Sequence, residues 1–434
     1  MGIKVEMSSQ DPAKRRKLNA RDLLERDVYQ ARHFGCTPLY QASQNGHTEV
    51  VKLLLAAPGI DVNQANKDGE TPLYIATRWG RTEVVKLLLA AGADVNQANH
   101  HGVTPLYAAS EYGNTDMVTV LLAAGADVNQ APNNGCTPLW AASRNGKTSN
   151  VKLLLAAPGI DVNQAGNDGR TPLYSASQNG HTEVVKLLLA APGIDVNQAN
   201  KDGETPLYIA TRWGRTEVVK LLLAAGADVN QANHHGVTPL YAASEYGFTD
   251  MVTVLLAAGA DVNQATRRGH TPLFIACRYN RYWVVELLLA APGIDVNQAT
   301  RRGHTPLFIA CRYNRYWVVE LLLAAPGIDV NKSSNGGSTP LIIASRRKRA
   351  RIVSLLLHDG ADPYQANNDG QRPIDVARGH AKRILERWLR SRERILANRL
   401  TVLPHHVIRD KIHPKIGHYH QYVTLRIQDE FATY

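Results

Sequence analysis

A single motif, Thr-Pro-Leu, returns along this chain at intervals of 33 or 34 residues. A degenerate copy, Arg-Pro-Ile, follows at residues 372–374. A fixed period of this length is typical of proteins that stack many copies of one small supersecondary unit. The intact copies begin at Thr37, Thr71, Thr104, Thr137, Thr171, Thr205, Thr238, Thr271, Thr305 and Thr339.

The unit at residues 66–99 predicts two short helices. Thr71 is a favourable N-cap, and Pro72 suits the first helical position because that position needs no N–H donor. Gly80 is expected to end this helix in a left-handed conformation. We expect Thr82 to cap a second helix, whose Val and Leu residues form an apolar face. An extended link then leads to the polar turn before the next Thr-Pro-Leu.

Two helices this short cannot bury an apolar face alone, so the units are expected to stack into an all-α solenoid. The unit resembles the ankyrin repeat, whose consensus contains Asp-Gly-x-Thr-Pro-Leu-His-x-Ala-Ala and Leu-Leu-Leu-x-x-Gly-Ala-Asp-Val-Asn. The resemblance covers residues 18–389. It implies a non-catalytic scaffold or adaptor that binds another protein in a concave groove, through the turn tips and the exposed residues of the first helices.

The chain departs from the family at the position after Thr-Pro-Leu, where the family usually has His. Here the residue is Tyr, Trp, Phe or Ile. We interpret these larger groups as filling the space between repeats, and we assign them no other function. They are Tyr40, Tyr74, Tyr107, Trp140, Tyr174, Tyr208, Tyr241, Phe274, Phe308 and Ile342.

Three regions follow from this pattern. Residues 1–17 form a polar, basic tail that we expect to be disordered. Residues 18–389 form the solenoid, with a half-repeat cap and about eleven repeats, the last degenerate. Residues 390–434 form a basic, His-rich extension.

Four consecutive basic residues in the tail resemble a nuclear-import signal; the alternative is an ordinary solvated charge run. They are Lys14, Arg15, Arg16 and Lys17. With only four cysteines and no hydrophobic segment at the amino end, the chain is expected to be intracellular, without secretion or a membrane span. Nuclear and cytoplasmic locations both stay open.

Charge is distributed unevenly along the repeats. Residues 27–265 contain 15 Lys and Arg against 21 Asp and Glu, a net of −6, whereas residues 266–355 contain 14 against 4, a net of +10. A basic surface attracts acidic proteins, phosphorylated segments or nucleic acid, and charge alone does not choose among them.

The family's contact positions, carried over to the basic repeats, select arginines, tyrosines and histidines as partner-binding candidates. These are Arg267, Arg268, His270, Arg278, Tyr279, Arg281, Arg301, Arg302, His304, Arg312, Tyr313 and Arg315. Aromatic residues at the corresponding helix ends of the acidic repeats either bind a partner or pack over their own helices. These are Trp79, Tyr112, Trp213 and Tyr246.

The basic repeats also carry unusual residues in and before their second helices. Trp283 and Trp317 stand where other units carry an acidic residue such as Glu83. Asn280 and Asn314 replace the Gly that ends the first helix, which Asn can do at modest cost.

The tenth unit departs further from the pattern. Lys348 occupies the left-handed Gly position and Ala350 replaces the expected capping Thr. Each change is expected to destabilise the unit by a few tenths to about 1 kcal/mol. Degeneration of a terminal repeat and selection of a basic patch both explain these changes.

Residues 400–412 contain the spacing Leu-Pro-x-x-Val-x-x-x-Ile, which resembles the first helix of an F-box. The resemblance implies a ubiquitin-ligase substrate adaptor. The alternative is an amphipathic helix that folds back on the last repeat.

No catalytic or metal site is predicted. The Gly residues fall at repeat turns and helix ends rather than in a phosphate-binding loop, and the cysteines have no zinc-ligand spacing. We therefore expect no enzyme activity and no cofactor. The favoured function is a monomeric protein-binding scaffold for a partner with an acidic segment. Nucleic-acid binding through the basic repeats and an F-box adaptor are the alternatives.

Overall fold

The computed structural model describes residues 35–400, with side chains described up to residue 394. Every regular secondary-structure element within these residues is a helix. The described chain comprises two compact units, residues 35–267 and residues 268–400. The all-helical solenoid predicted from the repeats is confirmed.

In the first unit, two series of short helices alternate along the chain. The first helices, which begin at the Pro of Thr-Pro-Leu, are α1 (Pro38–Asn45), α3 (Pro72–Arg78), α5 (Pro105–Tyr112), α7 (Pro138–Arg144), α9 (Pro172–Asn179), α11 (Pro206–Arg212) and α13 (Pro239–Tyr246). The second helices are α2 (Thr48–Leu55), α4 (Thr82–Ala90), α6 (Thr115–Ala123), α8 (Thr148–Leu155), α10 (Thr182–Leu189), α12 (Thr216–Ala224) and α14 (Thr249–Ala257).

The second unit continues the alternation and ends on a longer helix. Its first helices are α15 (Pro272–Tyr279), α17 (Pro306–Arg312), α19 (Pro340–Arg346) and the four-residue α21 (Pro373–Val376). Its second helices are α16 (Tyr282–Ala290), α18 (Tyr316–Leu323) and α20 (Ala350–His358), and α22 (Gly379–Leu400) closes the described chain. Helix α22 runs without a break past residue 389.

The first helices begin as predicted. The Thr71 hydroxyl accepts a 3.1 Å hydrogen bond from the Tyr74 N–H, and Pro72 occupies the first helical position. The same cap is present at all ten Thr-Pro-Leu copies. Each satisfies one of the backbone donors that a helix start leaves unpaired.

The second helices begin differently from the prediction. Thr82 is not the cap; the N-cap residue is Arg81, and its side chain makes no capping hydrogen bond. The reason is that the Arg81 N–H donates to the Ala76 carbonyl at 2.8 Å, while the Arg81 carbonyl accepts from Val85 at 2.9 Å. This bond back to the first helix starts the second helix one residue early. Ala350, which also follows its N-cap residue, therefore replaces no capping group.

The link between units was expected to be extended, but it contains a turn. The Asn96 N–H donates to the Asp94 side chain at 2.9 Å. The Asn96 side chain then accepts from the Asp127 N–H of the next repeat at 2.8 Å. Side chains of the link thus fold it locally and join it to its neighbour.

The residues after Thr-Pro-Leu fill the repeat interior as predicted, with exposed fractions between 0% and 8%. The four cysteines are free and buried. Burial raises the pKa of Cys136 to about 11, and it also raises the pKa of Cys277 and of Cys311. These thiols therefore stay protonated and act as small apolar groups.

Three residues other than Gly adopt the left-handed conformation among the described residues. Asn280 and Asn314 do so with φ of 61° and 60°, as predicted, and Lys348 does so with φ of 60°. Lys lacks the short polar side chain that lets Asn tolerate this conformation, so the strain is greatest at Lys348.

Candidate partner-binding surface

The ends of the first helices carry the leading candidates in the second unit. Every residue from 272 to 277 of α15 is buried. The next two residues are more accessible: Arg278 is half-buried and Tyr279 is exposed. Helix α17 repeats this arrangement with Arg312 and Tyr313. The exposed fractions of Tyr279 and Tyr313 are 42% and 39%. The carboxyl end of the first helix therefore presents an Arg-Tyr pair at the same position in two successive repeats.

These pairs contact one another across the two repeats. The guanidinium carbon of Arg278 lies 5.6 Å from the ring centroid of Tyr279 and 5.7 Å from that of Tyr313. Both distances fall within the cation–π range. Arg315, the N-cap residue of α18, donates from Nε to the Arg278 carbonyl at 3.2 Å. We call Arg278, Tyr279, Arg312 and Tyr313 the arginine–tyrosine ladder.

In the first unit, two of the three arginines at the equivalent position are neutralised by a carboxylate; the third, Arg144, lies in a repeat with Cys136 at the glutamate position. Arg78 forms a 3.5 Å ion pair with Glu70, and Arg212 forms a 3.3 Å pair with Glu204. The two glutamate side chains are only 14% and 12% exposed. Each repeat of this type holds its own counterion beside the arginine.

In the second unit, the position of that glutamate is taken by His270 and His304. The His270 ring stacks on Phe274 at 4.7 Å, and the His304 ring stacks on Phe308 at 4.4 Å. Within the described residues, no ion pair is formed by Arg278 or Arg312. The ladder therefore carries positive charge without a counterion among residues 35–394.

The pKa values of His270 and His304 are lowered by their surroundings. Burial lowers the pKa of His270, and Arg278 and Arg268 lower it further. Burial likewise lowers the pKa of His304, with Arg312, Arg302 and His270 adding to the effect. Burial is the larger cause of both shifts, and the arginines add to it because like charges nearby disfavour the protonated ring.

Exposed arginines occupy the turn tips beside the ladder. The Arg301 N–H donates to the Arg268 carbonyl at 3.2 Å, which joins two successive tips. Gly269 permits this approach: its φ is +78°, and a Cβ there would lie 2.9 Å from the Arg301 nitrogen. Arg302 is exposed on the same turn as Arg301. The remaining tip candidate, Arg267, is exposed at the end of the first unit.

Of the other predicted contact residues, Arg281 is the half-buried N-cap residue of α16. The aromatic candidates of the first unit are all exposed. The exposed fractions are 54% for Trp79, 53% for Trp213, 50% for Tyr112 and 41% for Tyr246. Tyr246 also stacks on Phe248 with ring centroids 5.8 Å apart.

Two sequence predictions fall on residues that the structure does not describe. The import signal at residues 14–17 lies outside the described residues, as do residues 401–412 of the F-box-like segment. Between residues 35 and 400, no helix is long and apolar enough to cross a membrane. The same part of the chain has no group of three His, Cys, Asp or Glu residues that could hold a metal ion.

Sequence reasoning omitted two exposed residues, Glu286 and Glu320, from its candidates. They lie on the second helices α16 and α18, three residues after Trp283 and Trp317 respectively. The signal that could have found them is the replacement of Lys by Glu, since most other second helices have Lys at this position.

A family model described as ankyrin repeats in three copies matches residues 14–99, 97–166, 159–233, 227–300 and 293–367. The chain therefore belongs to the ankyrin-repeat family, and its repeats form a protein–protein interaction scaffold. Members of this family are typically non-enzymatic.

Among solved structures, the human ASB11 ankyrin repeat domain is similar, with 29% sequence identity and a TM-score of 0.45. The alignment covers 50% of this chain and 98% of that domain. A search of curated proteins returned no match.

Proposed function

We propose that the second unit binds an acidic segment of a protein partner on the arginine–tyrosine ladder. The main observation behind the proposal is that histidine replaces glutamate at the position before Thr-Pro-Leu. The glutamate that neutralises Arg78 and Arg212 is replaced by His270 and His304, which leaves Arg278 and Arg312 without a counterion among the described residues.

The geometry suits a carboxylate from outside the repeats. Arginine binds carboxylates with two parallel hydrogen bonds, and the ring on each side adds rigid apolar area. The Arg278 guanidinium already contacts both the Tyr279 ring and the Tyr313 ring. Little side-chain entropy remains to be lost when a partner binds.

The first experiment identifies the partner by affinity capture from the native cell. The bait is the whole chain and, in parallel, residues 18–389. The affinity of that partner is then compared for the wild type and for a variant with Arg278, Tyr279, Arg312 and Tyr313 changed to Ala. We expect a loss of about 2 kcal/mol or more, because Arg and Tyr anchors are typical interface hot spots.

Two matched variants make this result specific. Changing Arg78, Trp79, Arg212 and Trp213 to Ala alters the equivalent positions of the first unit and is expected to leave the affinity nearly unchanged. If that variant loses binding while the ladder variant binds normally, the proposal is wrong.

The second matched variant combines His270→Glu with His304→Glu. It reinstates the internal carboxylate of the first unit without removing any arginine or tyrosine. We expect it to weaken binding, because each new carboxylate competes with the partner for its arginine. Unchanged affinity would contradict the role given to the unpaired arginines.

Nucleic-acid binding is the second candidate. Arginines interleaved with exposed rings also suit single-stranded bases, which stack on aromatic side chains. The two functions separate in a titration with a generic single-stranded RNA. RNA binding that weakens steeply with salt would favour nucleic acid. Saturable binding to one protein, measured separately, would favour the scaffold.

A further inference from the structure

The second helices of the second unit present two tryptophans to solvent. Trp283 on α16 is 65% exposed and Trp317 on α18 is 64% exposed, the two largest values among the exposed large hydrophobic residues described. Each indole meets the preceding tyrosine ring edge to face at 5.1 Å, and this contact leaves most of the indole uncovered.

In four of the seven second helices of the first unit, the same positions carry an ion pair. A glutamate there accepts a hydrogen bond from a lysine three residues later, at distances between 2.6 and 2.8 Å. These pairs neutralise the outer side of their helices. They are Glu49–Lys52, Glu83–Lys86, Glu183–Lys186 and Glu217–Lys220.

In α16 and α18 both members of the pair are exchanged. Trp replaces the glutamate, and Glu286 and Glu320 replace the lysine. Both glutamates are exposed, and neither has an ion-pair partner within the described residues. Residues three apart on a helix are neighbours on its surface. Two successive repeats therefore each present an indole beside a carboxylate that forms no ion pair with residues 35–394.

This combination is selective for positive charge. The face of an indole attracts a Lys or Arg cation, and a carboxylate beside it adds a direct charge interaction. A purely apolar partner would desolvate the carboxylates without pairing them, and an acidic partner would be repelled. The charge preference is opposite to that of the arginine–tyrosine ladder.

We propose that Trp283, Glu286, Trp317 and Glu320 form a second docking surface, which binds a protein segment with two cationic side chains. We call these four residues the tryptophan–glutamate face. This surface does not depend on the ladder: it lies on the second helices, and it selects a basic rather than an acidic sequence.

The spacing of the repeats limits the sequence that fits. Helices α16 and α18 contact each other, and packed helices lie about 8 to 10 Å apart. In an extended polyproline-II segment, residues three apart lie on the same side and are separated by about 9 Å. We therefore expect Arg or Lys at positions i and i+3 of the bound segment.

The test uses a random 12-residue peptide library displayed on phage and selected against the full chain. The comparison variant carries W283E, E286K, W317E and E320K, which reinstates the Glu-Lys pairs of the first unit. Circular dichroism and thermal unfolding establish that this variant folds. We expect peptides that prefer the wild type to carry Arg or Lys three positions apart, and synthetic copies to bind the variant about tenfold more weakly.

Three results would overturn the proposal. The first is that no peptide distinguishes the wild type from a folded variant. The second is that the distinguishing peptides are apolar or acidic. The third concerns the basic run at residues 14–17 of this chain. If changing that run to Ala tightens binding of the selected peptides, the chain occupies its own face and an external partner is not the occupant.

Discussion

The hydroxyl of Tyr40 donates a 2.7 Å hydrogen bond to the carboxylate of Glu70, which belongs to the next repeat. Tyr174 and Glu204 repeat this contact at 2.9 Å. The carboxylate in turn pairs with an arginine, so tyrosine, glutamate and arginine form one network across the repeat boundary. In the second unit Phe274 and His304 stand in place of this Tyr and Glu, and Arg312 forms no ion pair within the described residues.

We predict that this network stabilises the first unit. Tyr174→Phe should lower the free energy of unfolding by about 1 to 2 kcal/mol, because the poorly exposed Glu204 loses a donor. Urea unfolding measures the change. Tyr208→Phe is the matched control, because the Tyr208 hydroxyl donates no hydrogen bond within the described residues, and its change should stay within about 0.5 kcal/mol. Equal losses in the two variants would show that the hydroxyl bond to Glu204 contributes nothing specific.

A pH dependence of stability follows from His270 and His304. Folding lowers the pKa of both rings below the ordinary value of about 6.5. As pH falls, the unfolded chain binds protons first, so stability is greatest above about pH 6.5 and is lost as pH falls through the folded-state pKa. Urea unfolding between about pH 7.5 and 5.5 should show this decline. His270→Gln with His304→Gln should flatten it, and an unchanged slope would assign it to other groups.

Binding of an acidic partner should have the opposite dependence on pH. A carboxylate placed beside the ladder favours the protonated form of His270 and His304 and raises the pKa of each. The complex then takes up protons, so affinity should rise as pH falls from about 7.5 to 5.5. Isothermal titration calorimetry in buffers of different ionisation enthalpy measures the uptake directly. Proton release on binding would contradict the proposed contact.

The two threonines of a repeat should differ in their effect on stability. Thr71→Ala removes a side-chain cap and should lower the free energy of unfolding by about 1 kcal/mol. Thr82→Ala should change it little, because Thr82 lies inside the second helix and caps nothing. Urea unfolding of the two single variants compares them directly. A larger loss for Thr82→Ala would contradict the helix start at Arg81.

Nuclear import through residues 14–17 stays a prediction from the sequence. Changing Lys14, Arg15, Arg16 and Lys17 to Ala should shift a fluorescent fusion of the full chain towards the cytoplasm. Changing the exposed Arg301 and Arg302 to Ala removes positive charge elsewhere and should leave the distribution unaltered. Equal distributions for the wild type and the residue 14–17 variant would remove the assignment.

The sequence alone determined the features that depend on neighbouring residues and on the period. It predicted the Thr71 cap, the left-handed Asn280 and the burial of the residue after Thr-Pro-Leu. Capping and helix termination act over three or four residues. Stacking then gives every copy of a position nearly the same surroundings, so one unit predicts the interior of the others.

Only the tertiary structure decided which side chains meet across repeats. The bond from Tyr40 to Glu70 joins residues 30 apart in the chain, and the bond from Arg315 to Arg278 joins residues 37 apart. These contacts depend on the distance and rotation between stacked helices, which the composition of a single unit does not contain. The same geometry places the Glu70 carboxylate beside Arg78 and the rings of Tyr279 and Tyr313 beside Arg278.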